Sequence, residues 1–322
     1  MEDLNRRALE RIRPLLMDPW RFAVRVERLR NGAQVLDLGV QASGGLEAGL
    51  ALAEACMGGL GRAELRAFEA PGTGWPAVQV ATDHPALCCM ASQYAGWSVQ
   101  VGGYRAMASG PLRAVARVER ELFDRLGYGE RSRVGVICLE SSELPPDEVA
   151  ENLAATSGIP PDALYLLVAP TGSLAGSVQI AARSVETALH RIMTSGFDVR
   201  RVRWGFGTAP LAPPTPETLE AIGRTNDAIL YGSRVWLGVD ASDQELGRLA
   251  PELVASASPV WGRPFRRLLE DAGGDFYRLD PRLFSPAEVT LTSLRTGRTY
   301  RAGSIALDLL RTSLYGERLN GP

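Results

Sequence analysis

Arg183 and Glu186 stand three residues apart in PTGSLAGSVQIAARSVETALHR, Pro170 to Arg191, a stretch otherwise mostly small or apolar. A carboxylate can carry a proton and a guanidinium can direct it, so this pair suits acid–base chemistry. With Ser177–Arg191 read as one helix, Gln179, Arg183, Glu186 and His190 share a face. Val178, Ala181, Ala182, Val185 and Leu189 fill the other side. The same spacing also describes a solvated face with an ion pair worth about 0.3–0.5 kcal/mol. Two features favour a site. Thr171-Gly172-Ser173 follows a strand of buried type, so the helix begins at a sheet's carboxyl edge, where α/β proteins place ligands. Gln and His accompany the charged pair. Neither feature identifies a reaction.

Two further groups carry polar chemistry. Arg224, Thr225, Asn226 and Asp227, within GRTNDAILYG, can cap a helix or a turn. Ser92, Gln93 and Trp97 of SQYAGW, with Ser109, Gly110 and Arg113 of SGPLRA, set hydroxyls, an amide, an aromatic and a guanidinium among glycines. Glycine lets backbone approach a ligand closely, although a plain turn of small residues has the same composition.

The elements that must position these groups alternate between strand and helix, which points to an α/β fold. Leu4, Ala8, Ile12 and Leu15 recur at helical spacing; Val35–Val40, Val134–Leu139 and DALYLLVAP read as strands. LRAVARVERELFDRLGY reads as one helix closed by Gly127, and Gly223–Asp227 as a polar knot between a helix start and a strand. AEVTLTSLRTGRTYRAG reads as alternating strands around a Thr-Gly turn.

Composition narrows the chemistry. The 322 residues are 45% hydrophobic with a formal net charge of −2, so no electrostatic grip on nucleic acid or an anionic membrane is expected. All 35 basic residues are Arg, which removes a Schiff-base or phosphate-loop lysine. Cys56, Cys88, Cys89 and Cys138 lack zinc-knuckle spacing, and only His84 and His190 could join them, so no metal site is expected and buried thiols in a reducing cytosol are. No apolar run approaches the ~20 residues of a membrane helix, and the charged N-terminus does not read as a signal peptide.

Taken together, the segments resemble the methenyltetrahydromethanopterin cyclohydrolase family. The matching words are DLGV, GGLEAG and GGLG within Asp37–Gly61, SQYAGW at Ser92–Trp97, SGPLRA at Ser109–Ala114 and PTGSLAGSVQIAARSVET at Pro170–Thr187. GRTNDAILYG at Gly223–Gly232, GRPF at Gly262–Phe265 and FSPAEV at Phe284–Val289 complete the set in the family's order. The resemblance implies an α/β subunit of two lobes with the substrate cleft between them. It makes residues 1–322 one family-length unit, with interleaved lobes expected at roughly 1–118 plus 289–322, and at 119–288. It implies a cytoplasmic hydrolase of one-carbon metabolism that interconverts N5,N10-methenyl-tetrahydromethanopterin plus water and the N5-formyl form. No metal or redox cofactor is implied, and a homotrimer is.

The family's catalytic pair falls on Arg183 and Glu186, with Glu186 as base and Arg183 acting on the water and on the carboxylate's position. Ser92, Gln93, Trp97, Ser109, Gly110 and Arg113 become candidate walls for the pterin or its acidic tail. Thr171, Ser173, Gln179, Asn226 and Asp227 become candidate hydrogen-bond partners. Tyr94 stands where many relatives carry a lysine, which fits a carrier without a terminal phosphate. The competing expectations are a non-catalytic pterin-binding relative with a regulatory or scaffolding role, and a methenyltetrahydrofolate cyclohydrolase. The latter usually has a catalytic lysine, which this chain lacks.

Overall fold

The computed structural model describes residues 3–316. In chain order its strands are β1 (Arg25–Arg28), β2 (Gln34–Asp37), β3 (Gly61–Ala67), β4 (Pro76–Thr82), β5 (Trp97–Val101), β6 (Tyr104–Ser109), β7 (Gly135–Glu140), β8 (Leu164–Ala169), β9 (Val202–Pro210), β10 (Arg234–Val239), β11 (Glu288–Ser293) and β12 (Thr299–Gly303). The helices are α1 (Leu4–Met17), α2 (Leu46–Cys56), α3 (Leu112–Ala116), α4 (Arg120–Leu126), α5 (Asp147–Ser157), α6 (Leu174–Ala181), α7 (Ser184–Thr194), α8 (Thr218–Gly232), α9 (Asp243–Leu249), α10 (Phe265–Asp271) and α11 (Leu307–Tyr315), and a π-helical turn spans Ala86–Gln93. The fold is α/β, as the alternation implies.

The chain divides into two compact units. The first is Met1–Arg62 with Ala86–Gln179, the second Ala63–Pro85 with Ile180–Pro322. These boundaries differ from the expected 1–118 plus 289–322 and 119–288, because residues 63–85 leave to supply strands to the second unit's sheet and residues 289–316 stay with it.

The first unit's sheet runs β1-β2-β8-β7-β6-β5, with β2, β8 and β7 parallel. Both faces are covered, so these strands read as continuous apolar runs. Leu36, Val136 and Leu167 pack with Ala8, Ile12 and Leu15 of α1 and Leu52 of α2. Val35, Ile137 and Leu166 point the other way, to Leu112 of α3 and Val149 and Leu153 of α5. Asp3 caps α1 by accepting from the Arg6 N–H at 2.9 Å.

The second unit's sheet runs β12-β11-β10-β9-β4-β3, with β10 and β11 parallel. Val235 and Leu237 are buried while Phe206 and Trp236, cross-strand partners, are exposed, so this sheet alternates in the one-sided manner.

Three expected elements are divided differently. The single helix over residues 112–126 is broken at Arg117, which adopts left-handed φ 50°. In a continuous helix Arg113 and Glu119 would face apart; the break turns the Glu119 carboxylate back onto the Arg113 Nε at 2.8 Å. The helix expected over Ser177–Arg191 is two, α6 and α7, joined by a turn in which the Arg183 N–H donates to Ile180 O at 2.9 Å. The polar knot at Gly223–Asp227 is the middle of α8, where Thr225 Oγ1 and Asn226 Nδ2 donate back to the carbonyls of Ala221 and Ile222.

Candidate active site

In the second unit, the turn after α6 ends on Arg183, whose carbonyl accepts both the N–H and the hydroxyl of Thr187 at 2.8 and 2.9 Å. Glu186 follows in the first turn of α7, where exposed backbone N–H groups favour a negative charge. The Arg183 Nη1 lies 3.6 Å from Glu186 Oε2, with side-chain exposures of 12% and 8%. Such seclusion separates the pair from a solvated surface ion pair. Between them, Ser184 and Val185 lie on β9 at its two glycines: a Cβ on Gly207 would meet Ser184 Oγ at 2.5 Å, and one on Gly205 would meet Val185 Cγ1 at 2.7 Å. The bare strand thereby seats the segment that carries the charged pair. Gln179, expected on the same helical face, belongs to α6 instead.

In the first unit, Gln179 Nε2 donates to Cys56 Sγ at 3.4 Å, and that sulfur stands 3.1 Å from Ser109 Oγ. The thiol also reaches the Gln93 carbonyl at 3.9 Å, and Ser92 Oγ donates to the Cys56 carbonyl at 2.6 Å. Four sequence-predicted residues thus gather on Cys56, which nothing in its sequence context singles out. Gly110 follows at φ 100°, a conformation that requires glycine, and its N–H donates to Ser92 O at 2.8 Å. Trp97 opens β5 and is buried.

Arg113 is turned inward and fully buried. Its Nη1 donates to the carbonyls of Met90 and Ser92 at 3.3 and 3.1 Å, its Nε to Glu119, and its guanidinium lies 5.2 Å from the Tyr94 ring centroid. It supports the segment that carries Ser92 and Gln93 instead of presenting a charge to a ligand. Tyr94 supplies a π face for that cation.

The carboxyl edge of the parallel strands carries Thr171 and Ser173. Ser173 Oγ accepts from the Gly176 N–H at 3.0 Å and donates to Pro170 O, capping α6. Thr171 donates its hydroxyl to Glu140, the last residue of β7. At the end of β2 the fully buried Asp37 accepts the N–H groups of Gly39, Val40, Gln41 and Ala42 at 2.7 to 2.9 Å and so shapes that loop. An Asp followed by glycines is the sequence sign of such a loop.

Asn226 and Asp227 serve α8 and its neighbours. Asp227 is buried, accepts the Phe265 N–H that opens α10 at 2.9 Å and accepts from Ser313 of α11. Desolvation pushes its carboxyl up to about 7, against the bonds from Ser313 and Phe265. Asn226 bonds within α8. All four cysteines are buried. Among the described residues no three His, Cys, Asp or Glu side chains group as a metal would require, and no helix is long and apolar enough to cross a membrane.

A family model described as Cyclohydrolase (MCH) matches residues 3–314. Methenyltetrahydromethanopterin cyclohydrolase of Methylobacillus flagellatus is 45% identical over 289 residues, covering 89% of this chain and 88% of its own. The enzyme of that name from Rhodopirellula baltica is 45% identical over 320 residues, 97% of this chain and 94% of its own. The one from Methanocaldococcus jannaschii is 38% identical over 318 residues, 98% of each.

Proposed function

The chain belongs to the Cyclohydrolase (MCH) family, and we propose on that basis that it interconverts N5,N10-methenyl-tetrahydromethanopterin plus water and N5-formyl-tetrahydromethanopterin. The observation that carries the reading is the secluded Arg183–Glu186 pair at the head of α7, inside a family match that spans residues 3–314.

The methenyl bridge is a delocalised amidinium cation, so its carbon is electrophilic before any side chain acts. Glu186 takes a proton from water as the oxygen adds to that carbon. It returns the proton to N10 as the C–N10 bond breaks, and the hydroxyl proton leaves as the formyl carbonyl forms. One carbon–oxygen bond is made, one carbon–nitrogen bond is broken and one proton is released, with no change of redox state, so the step calls for no redox cofactor. Acid–base help of this kind supplies roughly 10²–10⁴-fold.

Arg183 positions Glu186 and the attacking water. Alone, its charge would oppose the cationic substrate by about 4 kcal/mol at ~4 Å and an effective dielectric near 20. Paired with Glu186, its field at the substrate largely cancels. Ser92, Gln93, Trp97, Ser109, Thr171, Ser173 and Gln179 are the proposed pterin and tail contacts. Gly110 allows the close turn beside them, and Arg113, Asn226 and Asp227 act as supports. A cytoplasmic homotrimer is the proposed working form.

Loss of methenyl absorbance, followed with the methanopterin and the folate carrier in parallel, tests the reading. Turnover of the methanopterin form abolished by Glu186→Gln supports it. Binding without turnover would favour a non-catalytic role, and a faster rate on the folate form would overturn the substrate.

A further inference from the structure

Glu140 ends β7 at the carboxyl edge of the first unit's sheet, opposite Ala169 of β8. Its side chain is half-buried, accepts the Thr171 hydroxyl, and enters no ion pair among the described residues. The other carboxylate at this edge, Asp37, already has four backbone N–H groups on its two oxygens. A carboxylate offers about four acceptor sites, so Glu140 retains acceptor capacity that Asp37 lacks. A half-buried carboxylate with neither a cation nor a full set of donors is costly unless something arrives to use it.

A pterin presents a matching pattern. Its ring N3–H and exocyclic 2-amino group are two donors side by side, and a carboxylate has two acceptors at the spacing to meet them. We propose that Glu140 reads this donor–donor edge of the pterin head, with Thr171 holding the carboxylate in place. The proposal rests on the cyclohydrolase reading for the presence of a pterin, and it adds a substrate-binding residue that decides ring chemistry.

The test uses the full chain and two small rings, 6-methylpterin and 6-methyllumazine, in which oxygen replaces the 2-amino group. Affinities are read from ligand fluorescence, beside turnover of the methenyl carrier in the same preparations. The wild type is expected to prefer the pterin by about tenfold or more, because the lumazine oxygen faces the carboxylate. Glu140→Gln offers one acceptor and one donor, which matches lumazine, so the preference reverses. Thr171→Val, which keeps the Glu140 carboxylate but removes the hydroxyl that holds it, lowers pterin affinity without reversal. Equal affinity for the two rings, no binding of either, or an unchanged preference in Glu140→Gln overturns the proposal. So does a Glu140→Gln variant that weakens only the cationic methenyl substrate, since Glu140 would then be a counter-ion. Turnover without ring discrimination defeats Glu140 alone. Ring reversal without turnover defeats the cyclohydrolase reading alone.

Discussion

The Ser184 hydroxyl occupies the space that a side chain on Gly207 would need, 2.5 Å from an ideal Cβ. Among the described residues that hydroxyl is buried without a hydrogen-bond partner, although it sits between the two charged residues of the candidate site. Its fit against β9 therefore follows from shape, and the shape fixes where the head of α7 lies.

Gly207→Ala is expected to destabilise the fold by about 1–3 kcal/mol through overpacking and to lower kcat by displacing Arg183 and Glu186. Ser184→Ala alone should be near neutral, since it removes an unsatisfied hydroxyl. Combined with Gly207→Ala it should restore much of the lost activity. Thermal melts and steady-state kinetics of the four proteins form the cycle; purely additive effects would show that the contact does not place the pair.

Glu186→Gln keeps the size of the side chain and removes its basicity. A fall in kcat of roughly 10²–10⁴-fold is expected, with an unchanged melting temperature. Arg183→Ala should lower kcat less and leave pterin binding close to wild type. Unchanged kcat in both variants would dismiss the proposed mechanism.

Asp227 makes stability depend on pH. Its carboxyl stands at about 7 in the folded chain against 3.8 ordinarily, because of burial. Between those values the folded chain holds a proton that the unfolded chain has released. The associated stability is complete below 3.8 and is lost as pH rises through about 7. Asp227→Asn keeps an acceptor for Phe265 and cannot titrate, so its melting temperature should fall less than that of the wild type between pH 5 and pH 8. Parallel melting curves would contradict this.

Cys56→Ala removes the sulfur shared by Gln179 and Ser109. A rise in KM of roughly fivefold is expected, corresponding to about 1 kcal/mol, with Cys56→Ser restoring part of it. In the native wild type a thiol reagent should label slowly, and four equivalents should react in denaturant. A KM that does not move would confine Cys56 to packing.

Much of the architecture was readable because the period of apolar residues is a local signal. Ala8, Ile12 and Leu15 line up on one helix face, and Leu164–Ala169 is an apolar strand buried at every position but the half-buried Tyr165. The break before Ser184 carries no Gly or Pro of its own; it depends on Gly205 and Gly207, which are remote in sequence. Spacing of three survives that break because Arg183 heads the helix on which Glu186 sits, so the pair remained recognisable while its alignment with Gln179 did not. Gly223–Asp227 looks like a cap by composition, yet its side chains bond back along α8 or out to α10 and α11. Arg113 looks like a ligand contact by type, but only tertiary packing reveals that its guanidinium is enclosed.

The excursion of residues 63–85 out of the first unit has a consequence for biosynthesis. On a growing chain, the first unit has all its residues once Gln179 has emerged, but β4, with β3 on one side, has nothing to pair its other edge with until Val202–Pro210 is made. Through that interval an apolar strand hangs from a nearly finished body with its edge open, which is the circumstance that invites chaperone capture or misassociation. Neither unit is a contiguous piece of chain, so no single truncation yields one of them free of the other's residues.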